Sequence, residues 1–265
     1  MSVASDDSLE PAGPSPRAMP QSTPMRAENV PALGIRYWVV ISLASIAGCN
    51  LGDFVSLYLH LDHLLGLLPL ALILAILLTG AQRASLRGEG WYWAIILIVR
   101  TAATNLADLA THTMGLSYPW TIAALEAILV FAVLPVRPRL MVDGDLYGRP
   151  YVDAWYWGAM LTAGTLGTAV GDCVAEEFNF GTGTGTLILS AILIAILVTG
   201  FRSRWSSKTI YWLAVVAVRS AGTTAGDHLA FKDGFHLGLL ASTALSCGVF
   251  VATILLWRPS RGGKR

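Results

Sequence analysis

The dipeptide Tyr-Trp occurs four times, at Tyr37-Trp38, Tyr92-Trp93, Tyr156-Trp157 and Tyr211-Trp212. An aspartate follows each tyrosine by sixteen residues: Asp53, Asp108, Asp172 and Asp227. A small residue precedes each Asp (Gly52, Ala107, Gly171, Gly226), and another lies four residues before that one (Gly48, Ala103, Gly167, Gly222). One spacing kept four times is the mark of tandem copies of a single structural unit. Successive tyrosines are 55, 64 and 55 residues apart. The second and fourth copies carry an Arg eight residues after the Tyr (Arg100, Arg219), where the first and third have Ser45 and Gly164. The unit therefore reads as doubled, diverged and doubled again.

Each unit holds two apolar stretches near the ~20 residues needed to cross a bilayer. The chain is 54% hydrophobic and 13% charged, against about 25% charged in ordinary soluble domains, and its mean hydropathy is +0.59. Helices are predicted over 34–59, 64–82, 90–112, 118–136, 151–175, 184–201, 208–230 and 236–257. The expected fold is an all-α membrane protein. It has eight transmembrane helices from four parallel two-helix repeats (34–89, 90–150, 151–207, 208–257) in a pseudo-fourfold or twofold arrangement, with odd-numbered helices inside. Residues 1–33, rich in Pro, Ser, Ala and acids, read as a disordered cytoplasmic tail, and 258–265 as a basic cytoplasmic tail. A net charge of +1 with no basic–aromatic cluster argues against nucleic acid as a partner. Cys49, Cys173 and Cys247 form no Cys-x-x-Cys pair. That argues against a disulfide framework and against a cysteine-based zinc site.

The Tyr-Trp and Gly-Asp elements, over residues 34–257, resemble those of bacterial membrane-anchored proteins built from four tandem copies of a two-helix, tryptophan-bearing repeat of unknown function. The resemblance implies the fold and a bacterial membrane, and brings no activity with it.

Lys and Arg set the expected orientation. Fifteen of the eighteen lie in the tails or in the loops after even-numbered helices, and only Lys232 lies in a loop after an odd-numbered one. By the positive-inside rule both termini are cytoplasmic, in a multi-pass protein of the bacterial inner membrane. The Tyr-Trp pairs then fall at the cytoplasmic interface, where amphipathic rings are favoured. The four Asp lie about 24 Å further out, all at one depth.

An ionisable residue at membrane depth usually faces the bundle interior and marks a functional site. Four at one level predict a ring of carboxylates that binds an ion or carries a proton. One turn earlier come Cys49, Thr104, Thr168 and Thr223, with Asn50 and Asn105 beside them in the first two units. These add ligating or hydrogen-bonding atoms, although a helical Thr also bonds its own backbone. Arg100 and Arg219, about 12 Å below Asp108 and Asp227, are expected either to neutralise buried acids or to take part in the mechanism. If all six groups share one cavity, the sum is −2, which one divalent cation or two protons would balance. His60, His63, His112, His228, Glu176 and Glu177 gather toward the outer side, with His236, Asp62 and Asp233. Carboxylate with imidazole suits Mn, Fe, Zn or protons. Glu126 stands alone in the fourth helix, and Gly181–Thr186 reads as a flexible approach to the sixth, with no Lys to make it a phosphate loop.

No nucleophile–base signature points to an enzyme. The expected function is a transporter or channel-like permease for a small cation, a divalent metal exchanged for protons, with the bilayer and the cation as partners; the metal enters as cargo, and no cofactor is assigned. The rival is a non-transporting scaffold or partner subunit whose Asp and Arg only organise packing. A third reading, a haem or quinone protein using His112 and His228, is weakened because the two lie at unlike offsets, 20 and 17, from their tyrosines.

Overall fold

The computed structural model describes residues 29–83, 88–133, 148–205, 207–231 and 234–257. Most of both tails, with Lys232 and Asp233, lie outside them. The described residues form eight helices and no sheet: α1 Ile35–Asp53, α2 His63–Arg83, α3 Gly90–Asp108, α4 Tyr118–Val133, α5 Ala154–Asp172, α6 Gly181–Arg202, α7 Lys208–Ala230 and α8 Leu239–Leu256. Three odd helices continue past their Asp as one π-helical turn, Phe54–Tyr58, Leu109–Thr113 and Cys173–Glu177. Such turns are frequent at functional sites. The run expected as a flexible approach is instead the first part of α6, which starts at Gly181. Its glycines let α6 lie close to α7: a Cβ on Gly183 would sit 3.1 Å from the His228 ring.

α1, α3, α5 and α7 form a closed inner ring, each touching its two neighbours, with α7 returning to α1. The even helices lie outside, and each packs on the odd helix of the following unit: α2 on α3, α4 on α5, α6 on α7, and α8 on α1. Side-chain size explains the ring. A Cβ on Gly48 would lie 2.5 Å from the Arg100 Cβ, one on Gly167 2.5 Å from the Arg219 Cβ, and one on Gly222 2.5 Å from the Ser45 Cβ. Gly164 meets the Ala103 Cβ at 2.9 Å in the same way. The first small position of each unit (Gly48, Ala103, Gly167, Gly222) thus seats the neighbouring helix, as small residues do where helix backbones approach closely.

The outside of this bundle is apolar. Leu72 on α2 is 64% exposed and Leu187 on α6 74%, a distribution expected where lipid replaces water. Five helices are long and apolar enough to cross a membrane: α1 and α3 with their π turns, α2, α6 and α8; α4 is apolar but shorter. α5 and α7 fall below that measure of apolarity, and they carry Gly, Thr and, in α7, Arg on their buried faces. The fold is that of a helical membrane protein. Its packing begins ahead of α1, where Val30 and Leu33 are buried and Leu33 N–H donates to the Gly148 carbonyl at 3.1 Å.

Candidate functional site

The four Asp come together. Asp53, Asp108, Asp172 and Asp227 line one cavity of about 470 Å³, together with Cys49, Thr104, Thr168 and Thr223 one turn earlier. The helix register does this: i and i+4 share a face, and the ring turns that face of all four inner helices to a common axis. The first three Asp are the last α-helical residues before the π turns, and all three are buried. His63, His112, Glu176 and Thr182 add to the polar lining, with Leu57 and Phe231 at an exposed rim.

The mouth has its own network. His112 Nδ1 lies 3.7 Å from Asp108 Oδ1 and its Nε2 3.8 Å from Glu176 Oε2. His63 Nε2 lies 4.0 Å from Asp108 Oδ2. The Tyr118 hydroxyl donates to Glu176 at 2.7 Å. The His112 imidazole, helped by Tyr118, holds the Glu176 carboxyl below its ordinary range against partial burial. The other imidazoles expected here are placed differently. His228 bonds Thr182 Oγ1 through Nδ1 at 3.1 Å and meets the Phe235 ring edge-on. His60, Glu177 and His236 are exposed, away from the cavity lining. Asn50 and Asn105 turn away as well. Asn50 Nδ2 donates to Ser246 Oγ on α8 at 3.3 Å and Asn105 Nδ2 to the Gly52 carbonyl on α1 at 3.4 Å, so both serve helix contacts.

The arginines stand apart from the carboxylates. Neither lines the cavity, and among the described residues neither comes within ion-pair distance of an Asp. The expected sharing of one cavity, and the sum of −2, do not hold. The reason is reach: an arginine side chain does not bridge a rise of about 12 Å when nearer acceptors are present. Arg219 Nε donates to Thr168 Oγ1 at 2.9 Å and Nη1 to the Ser45 carbonyl at 2.8 Å, while Nη2 donates to Thr104 Oγ1. These acceptors belong to α5, α1 and α3. A guanidinium carried by α7 that touches all three other inner helices lies on the axis, directly beneath the cavity. Arg100 is as deeply buried, but has only the Met160 sulfur, 3.6 Å from Nη2, while Nε and Nη1 lack a hydrogen-bond partner.

At the far end of the inner ring, the four tyrosines close the axis. Tyr37 bonds Tyr92 at 3.0 Å and Tyr211 at 2.9 Å; Tyr156 bonds Tyr92 at 2.6 Å and Tyr211 at 2.9 Å. All four hydroxyls thus join in one cycle. Each ring meets its own Trp nearly at right angles, with centroids 5.1–5.2 Å apart, and tilts against the Trp of the next unit, as Tyr37 does against Trp93 at 5.7 Å. The Tyr-Trp pairs turn inward and form an internal plug, with Trp38, Trp93, Trp157 and Trp212 buried. The signal for it lay in the sequence, since four equivalent tyrosines on one inner ring can pair as readily as four Asp.

A profile of the family described as a Repeat of Unknown Function (DUF347) matches residues 155–206 and again 210–262. The second half of the chain thus carries two tandem copies of that repeat, each holding one Tyr-Trp and one Gly-Asp element, in line with the resemblance drawn from the residues. Comparison with curated proteins and with solved structures finds no match.

Proposed function

We propose that the protein is a carrier for a small cation, a divalent metal, in the cytoplasmic membrane of a bacterium. In this reading the four tandem units cross the bilayer eight times around a pseudo-fourfold axis, both termini are cytoplasmic, and the Asp end faces outward. The observation that carries the reading is the convergence of four carboxylates, three threonine hydroxyls and one thiol on a single cavity with an imidazole-lined mouth. Oxygen-rich sets of this kind suit hard and borderline cations and repel anions. Arg219 and the tyrosine cycle fill the axis below, which favours a carrier over an open pore. Passage would require the three bonds of Arg219 and the tyrosine cycle to open while the cavity closes.

A non-transporting scaffold has its own support, because Arg219 ties together all four inner helices without touching a carboxylate. Ion flux separates the two readings. In proteoliposomes, Asp53→Asn and Asp172→Asn should abolish metal-ion flux per folded molecule while the variants still insert and fold. Flux at the wild-type level in both variants excludes the carrier mechanism.

A further inference from the structure

Three corners of the carboxylate ring pair their acids with a threonine, and the fourth has a cysteine. The difference lies at the seam where the first unit meets the last. Cys49 on α1 faces α7, where its Sγ–H donates to Asp227 Oδ1 at 3.3 Å. Asp53, one turn on from Cys49, points to the same place, and ligand atoms of Cys49, Asp53 and Asp227 all lie within 4.8 Å of one another. Gly226 leaves the room for this: a Cβ there would come 3.1 Å from the Cys49 Cβ and 3.2 Å from its Sγ. A separate observation points to the same corner. The Thr223 hydroxyl, 1% exposed and on the cavity wall one turn before Asp227, has no hydrogen-bond partner. A buried hydroxyl without a partner is costly and calls for a ligand or water.

We propose that Cys49, Asp53 and Asp227, with Thr223 Oγ1 beside them, form a binding site for a thiophilic divalent metal of the zinc and cobalt class. The assignment rests on the cation-binding reading of the cavity and names which cation the seam prefers. Tetrahedral zinc, with bonds of about 2.3 Å to sulfur and about 2.0–2.2 Å to carboxylate oxygen, holds such ligand atoms roughly 3.5 Å apart. The Cys49–Asp227 pair is already at that spacing, and a side-chain rotation of Asp53 would close the other two edges, each within 4.8 Å. On binding, the S–H bond of Cys49 breaks, an S–metal bond forms and the proton leaves to solvent. A thiolate with two carboxylates favours zinc over Mg²⁺ or Ca²⁺, which take oxygen alone. The three threonine corners offer no such preference.

The test is binding to the purified full-length protein in detergent, with Co²⁺ as the probe. The wild type should show a thiolate-to-cobalt charge-transfer band that saturates at one equivalent. Zn²⁺ should erase the band, and Mg²⁺ and Ca²⁺ should not. Cys49→Thr installs the residue that the other three units carry, so the variant should fold. It should lose the band, and Zn²⁺ affinity should fall by more than the ~10–100-fold that loss of an outer-shell partner costs, with Mn²⁺ affinity unchanged. Cys173→Ser and Cys247→Ser should keep the band. A band that survives in Cys49→Thr, an unchanged Zn²⁺ affinity in that variant, or a wild type that binds neither Co²⁺ nor Zn²⁺ overturns the proposal. Cobalt binding at Cys49 in a protein that moves no ion across a membrane overturns the carrier reading alone and leaves the site standing.

Discussion

Two arginines at one repeat position have come to hold unlike places. Arg219 gives hydrogen bonds to three helices, whereas Arg100 leaves two of its nitrogens without a partner. Burying a charge is costly, and the cost is recovered only through good hydrogen bonds or pairing. Arg219→Met should therefore lower stability by about 1–3 kcal/mol, the range for leaving buried polar groups unsatisfied. Arg100→Met, which removes a buried charge with unsatisfied nitrogens, should be neutral or stabilising. Thermal unfolding of the two variants in the same detergent checks this; equal losses would contradict the asymmetry. The pair was legible as buried and repeated, but its division of labour was not. Whether a guanidinium finds a carboxylate, or instead a hydroxyl and a carbonyl, depends on residues 115 and 174 positions away, Thr104 and Ser45.

At the scale of the helix, small residues decide which faces meet. Gly167 lies against Arg219 with no space for a methyl group, while Gly158 on the same helix has nothing within 4 Å. Gly167→Ala should cost about 1–3 kcal/mol, as overpacking does. Gly158→Ala should gain up to about 1 kcal/mol from helix propensity. Melting temperatures of the two variants give the comparison, and a Gly167→Ala protein as stable as the wild type would remove the close contact as the basis of the ring. The small-xxx-small spacing was readable in advance because helical periodicity is local. The π turns after Asp53, Asp108 and Asp172 were not, because nothing in the residue pattern separates a five-residue closure from a four-residue one. The helical start of α6 at Gly181 was missed for a related reason. Its Gly-Thr run has poor intrinsic propensity, and the contact with α7 overrides it.

For the whole molecule, the cavity and the tyrosine plug lie at opposite ends of one axis, so orientation decides what each end meets. On the proposed topology of eight spans with both termini cytoplasmic, reporter fusions after residues 62, 115, 179 and 233 should all report the outer side. A single one reporting the cytoplasm would break the equivalence of the four units. The order of the outer helices was beyond the sequence. Hydropathy marks α2, α4, α6 and α8 as apolar, yet each packs on the next unit's inner helix, a choice made by surface fit between segments far apart in the chain.

By itself the sequence determined the number of helices, the fourfold unit and the level of the four Asp, because each follows from local composition and from spacings that a rigid helix converts directly into height. The tertiary structure alone decided three further things: that α7 closes on α1, that Arg219 rests on hydroxyls and a carbonyl beneath the acids, and that the thiol of Cys49 meets Asp227 across 178 positions. These depend on which helix faces which around a closed ring. Spacing along a chain fixes how high a residue stands on its own helix, and only packing fixes what stands beside it.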